Sequence, residues 1–86
     1  MPRLSSFYGI AVYMYNRDHG VAHFHARYGD DEAVIEAATG RVLRGGLPPR
    51  QAKLVQEWAG IHRDELLGAW GRSRSGEPTG TIEPLP

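Results

Sequence analysis

The chain contains no cysteine in its 86 residues, which excludes a disulfide framework, a thiolate zinc site and a cysteine nucleophile. Any metal would have to rest on imidazole and carboxylate. Net charge is also lacking, because ten Lys and Arg balance ten Asp and Glu. Tight non-specific binding to a polyphosphate, which scales with the number of phosphates neutralised, is therefore not expected. No apolar run approaches the ~20 residues that cross a bilayer, and the N-terminus lacks the basic-then-apolar order of a signal peptide. A cytoplasmic protein without membrane association is the expectation. Lysine is nearly absent, Lys53 being the single one, so the cations are almost all arginine. Arginine suits bidentate phosphate contacts, although GC-rich coding by itself enriches arginine and is the plainer reading.

A chain of this size buries only roughly 60–65% of its unfolded surface. The core must be thin, with one sheet face covered by helix and no interior able to enclose a sizeable cofactor. No cofactor is expected, and any catalysis would sit at a surface.

The run Phe7 to Tyr15 is aromatic and β-branched and reads as a first strand. Asn16 to Gly20 is turn chemistry, and His23 to Tyr28 reads as a second strand. A third strand over Glu32–Ala38 and a fourth over Arg41–Arg44 complete an antiparallel meander of about four strands. Gly45-Gly46-Leu47-Pro48-Pro49 ends the sheet and opens a long helix reaching about Arg72. That helix gathers Ala52, Leu54, Val55, Trp58, Ala59, His62, Leu66, Ala69 and Trp70 on one face, with a break near Gly60 as the alternative. The expected fold is thus α+β, one domain over residues 1–74 followed by an extended C-terminal tail over 75–86 that can dock or pair at an edge.

Histidine is scarce, four in all, yet His19, His23 and His25 fall within one short segment. Imidazole donates, accepts, binds metal or changes charge near neutral pH. Strand alternation sets Val21, His23, His25 and Arg27 on one face and Phe24, Ala26 and Tyr28 on the other. Ile10, Val12, Met14, Ala33, Ile35 and Ala37 should face the helix with the second set, leaving tyrosines, histidines, Arg27 and carboxylates on the far face.

Three readings of the cluster stay open. His19, His23 and His25 are weak metal candidates, since no second cluster supplies the remaining ligands. Alternatively one histidine acts as general base or acid while its neighbour and Arg27 stabilise a phosphate, as in metal-independent RNA cleavage. Otherwise they are polar cross-strand partners of tyrosines and glutamates. Tyr13, Tyr15, Arg17 and His19 are the accompanying binding candidates. His62, on the apolar helix face, is either a core histidine satisfied by one hydrogen bond or, under the opposite sheet packing, a third member of the site. Trp58 and Trp70 read as core anchors.

Several separated motifs carry a resemblance: Phe7-Tyr8-Gly9-Ile10, Asp18-His19 followed by His23-Phe24-His25-Ala26, Glu57-Trp58-Ala59, Ile61-His62-Arg63, Glu65-Leu66-Leu67 and Ile82-Glu83-Pro84-Leu85. Together they resemble the bacterial family called domain of unknown function 4160. Many members read His-x-Pro-Pro-His-Phe-His where this chain has Gly20-Val21-Ala22 before His23, and better helix formers stand where it has Gly60 and Gly68. Such proteins look like one half of small two-gene cassettes. The resemblance therefore implies a small cognate protein encoded nearby and raises the priority of His19, His23, His25 and His62 as a set.

The leading expectation is a toxin-like or effector member of such a pair that acts on RNA, without metal, through a histidine-rich surface. His23 and His25 would be acid and base, Arg27 the phosphate contact, and Tyr13 or Tyr15 a stacking group. The alternatives are a non-enzymatic partner-binding module or transcriptional regulator, and a histidine-based metal protein. A homodimer is compatible with each.

Overall fold

A computed structural model describes residues 3–15 and 19–86. Five strands precede two helices: β1 (Arg3–Phe7), β2 (Ile10–Tyr13), β3 (His23–Tyr28), β4 (Asp31–Glu36), β5 (Val42–Gly45), α1 (Pro49–Ile61) and α2 (Arg63–Arg74). The strands form one antiparallel sheet in chain order. The architecture is α+β with a small meander, but the sheet has five strands rather than four.

The extra strand arises because the run Phe7–Tyr15 is not one strand. Tyr8 and Gly9 both adopt left-handed backbone, with φ of 50° and 77°, the two-residue turn whose twist matches a hairpin. Tyrosine is an unusual residue there. Its hydroxyl donates to the Pro86 carbonyl, tying the turn to the end of the chain. At Gly9 a Cβ would stand 3.2 Å from the Tyr28 ring, so the turn also needs the small residue.

Alternation then sorts the sheet as its pattern requires. Ile10, Val12, Met14, Phe24, Ala26, Ala33, Ile35 and Ala37 are all buried on the helix side. Over them lie Val55, Trp58 and Ala59 of α1 and Leu66 and Ala69 of α2. Trp58 is the central anchor, with ring centroids 5.4 Å from Phe7 and 5.7 Å from Phe24.

The long helix expected to reach Arg72 is instead two, divided at His62 rather than at Gly60. One straight helix over residues 49–74 would be about 39 Å long, whereas the longest dimension of the whole molecule is 33 Å. Bending lets both segments keep an apolar face on the short sheet. Asp64 and Glu65 occupy the first turn of α2, where carboxylates favour a helix start. The backbone N–H of His62 still donates to Trp58, and its carbonyl still accepts from Leu66.

The extended C-terminal segment is integrated into the core. Ile82 and Leu85 are buried, the Ile82 N–H donates to the Leu4 carbonyl at 2.7 Å, and the Trp58 indole N–H donates to the Glu83 carbonyl at 2.8 Å. Arg72 donates to the Thr79 carbonyl at 2.8 Å. The tail thereby lies along β1, one edge of the sheet. No described helix is long and apolar enough to cross a membrane.

Candidate functional site

The site is built on β3, an uninterrupted period-2 strand. Phe24 and Ala26 enter the core, and His23, His25 and Arg27 take the opposite face. Register sets His25 between Tyr13 of β2 and Val34 of β4, with Arg44 of β5 beyond Val34. His23 stands opposite Glu36, and Arg27 lies between Ala11 and Glu32.

His23 and His25 are brought together, with ring centroids 5.6 Å apart. His25 is only 8% exposed although it faces away from the core. Tyr15 meets it edge-on at 4.4 Å, and Tyr13 stacks on Tyr15 at 6.4 Å. A Glu32 carboxylate oxygen lies 3.6 Å from His25 Nδ1, beyond hydrogen-bond length. His23 Nδ1 lies 2.8 Å from the Val21 carbonyl oxygen. A carbonyl can only accept, so Nδ1 is the donor in this contact, and in the neutral ring the lone pair is then on Nε2. Trp70 packs on His23 at 4.9 Å, with the Arg74 guanidinium 5.9 Å from the indole centroid. Trp70 is therefore half-buried at the end of the helix layer as well as a core neighbour.

His19, Val21, His23, Val34, Leu43 and Arg44 line an open groove of about 380 Å³ on this face. Arg44 was absent from the residues singled out by the sequence. Its place becomes visible only through the β4–β5 register that sets it opposite Val34. Leu43 joins it because the register slips by one residue between Val34 and Ile35. Arg27 is exposed on the same face. Tyr13 accepts a hydrogen bond from Arg3 at 3.0 Å, and Arg17 lies outside the described residues.

His62 has a separate setting. Its Nδ1 is 2.6 Å from Glu65 Oε1, its side chain is 14% exposed, and its ring lies 5.7 Å from Trp58. Imidazole and carboxylate here bridge the kink between the helices. Among the described residues, no group of three or more His, Asp or Glu side chains is placed to hold a metal ion.

A larger cleft of about 530 Å³ separates the β4–β5 turn from the helix junction. Its polar groups serve the fold: Gln56 donates to Gly40 at 3.1 Å, Arg63 to Ala38 at 3.5 Å and Thr39 to Glu36 at 2.8 Å. The groove beside β3 is the one that gathers imidazoles.

No curated protein and no solved structure matches the chain. The profile of Domain of unknown function (DUF4160) matches residues 9–71. That span takes in β2 to β5, the histidine segment, all of α1 and most of α2, but excludes β1 and the docked tail. The chain belongs to this family, Domain of unknown function (DUF4160).

Proposed function

We propose that the groove beside β3 binds single-stranded RNA and cleaves it without metal, making the protein the toxin-like effector of a two-protein pair. The observation that supports this reading is that His19, His23 and Arg44 line one open groove. Two imidazoles and a guanidinium are what phosphodiester transesterification needs: a base, an acid and a charge partner for the phosphorane.

His23 is the base: its Nδ1–H is donated to the Val21 carbonyl, and Nε2 of the neutral ring is the nitrogen that takes up a proton. It takes the proton of the ribose 2′-hydroxyl as that oxygen attacks the adjacent phosphorus. His19 gives a proton to the departing 5′-oxygen, leaving a 2′,3′-cyclic phosphate and a 5′-hydroxyl. Arg44 holds the non-bridging oxygens and Arg27 a flanking phosphate. His25, largely covered by its neighbours, is a positioning residue that supports the His23 ring.

The test is incubation of untagged protein with an oligoribonucleotide in excess EDTA, beside the all-deoxy oligonucleotide of the same sequence. RNA alone should be cut to cyclic-phosphate ends, and His23→Ala should lower the rate by about 100-fold or more. Growth inhibition on expression should vanish with the same substitution. Equal cleavage by the variant, or no cleavage by the folded native protein, refutes the reading.

A further inference from the structure

The two edges of the sheet are treated differently. Beside β1 the chain lays its own tail, with Ile82 donating to Leu4 and its side chain buried. Among the described residues, strand β5 pairs only with β4. All four of its residues are exposed, including Val42 at 38% and Leu43 at 40%. One row of its backbone N–H and C=O groups therefore has no ladder partner among the described strands, and such an edge is a template for another strand.

Charge says what kind of strand fits. The segment Thr39-Gly40-Arg41-Val42-Leu43-Arg44-Gly45-Gly46 carries two cations and no anion. Of the nearest carboxylates, Glu36 faces Thr39 and Arg41 and partly offsets the Arg41 charge, whereas Glu32 faces His25 and not the edge. Arg44 is therefore the cation that chiefly marks the seam. A second copy of this chain is disfavoured, since any two-fold pairing of β5 with itself brings two Arg41 and two Arg44 onto one short seam. An extended segment with acidic side chains alternating with apolar ones meets no such penalty. Its carboxylates would lie on the groove face beside Arg44, and its apolar side chains on the other face beside Val42.

We infer that β5 is the docking edge for an acidic, extended segment of a partner protein, which adds to the sheet as a sixth antiparallel strand. Leu43 and Arg44 also line the histidine groove. A strand seated on β5 therefore covers the rim of that groove and excludes a polynucleotide from it. This inhibitory consequence rests on the RNA reading above, whereas the docking does not.

The probes are three N-acetylated eight-residue peptides in which valine alternates with glutamate, serine or lysine. Each is titrated into the full chain while amide hydrogen exchange is followed. Affinity should fall in the order glutamate, serine, lysine, with about tenfold between the first and last. The amides of β5 should slow by at least tenfold with the glutamate peptide, and Arg44→Glu should reverse the order. Equal affinity for the three, binding without protection of β5, or a native dimer in sedimentation that protects β5 unaided each overturns the inference. RNA cleavage measured in parallel separates the two readings. Docking without any nuclease activity refutes the cleavage assignment alone, and cleavage unaffected by a docked peptide refutes the inhibitory consequence alone.

Discussion

At His25 the strand places the side chain on the face away from the core, yet Tyr15 and His23 cover it. A covered imidazole can orient a neighbour better than it can reach a polymer, which is why the acid and base roles move to His23 and His19. Ser5 poses the converse problem: its hydroxyl is buried with no hydrogen-bond partner among the described residues. An unpaired buried hydroxyl costs desolvation without compensation, so Ser5→Ala should raise the unfolding free energy by about 1 kcal/mol. Urea titration with an unchanged slope would register this as a higher midpoint, and a lower midpoint would mean that the hydroxyl has a partner. At this scale the facing of His23, His25 and Arg27 was legible from the sequence, because β3 is one strand of strict period. The covering of His25 was not, because Tyr15 reaches it from beyond the end of β2 and Val34 from β4, placements no local pattern encodes.

Among elements, the β4–β5 seam shows how a single backbone position sets a register. Gly45 has φ of 70°, and a Cβ there would lie 2.2 Å from the Glu32 carbonyl oxygen. No side chain fits without moving β4, and the neighbouring Gly46 N–H donates to that same carbonyl at 3.0 Å. Gly45→Ala should therefore cost about 2 kcal/mol or more. It should also speed exchange of β5 amides ahead of those in β3, and an unchanged thermal midpoint would contradict the close approach. The Gly45-Gly46 pair was readable as the end of the sheet, but the tight contact with Glu32 was not. The hairpin at Tyr8-Gly9 escaped for a different reason. Tyrosine lacks the chemistry of a turn residue, and an apolar run without polar punctuation reads as one strand. The helix division was half legible: glycine weakens the segment at Gly60, but the length of the sheet beneath decides where the bend falls.

On the scale of the whole molecule, a balanced charge sets limits on how RNA is held. With few cations on the histidine face among the described residues, a broad electrostatic field is not expected to carry binding. The groove supplies Arg44 and the adjoining surface Arg27, so about two phosphates are neutralised. For single strands the logarithmic salt slope is about −0.7 per phosphate, giving a slope of about −1.4. Raising salt from 50 to 200 mM should then weaken RNA binding only about sevenfold. Arg44→Ala should reduce the slope by about half, because one of the two contacts is lost. Titration of a fluorescent oligoribonucleotide at several salt concentrations measures both numbers, with the cleavage-deficient His23→Ala variant used to keep the probe intact. A steep native slope, corresponding to six or more contacts, would place the nucleic acid on a wider arginine surface. An unchanged slope in the Arg44 variant would remove the groove from the binding path, even if cleavage itself were observed.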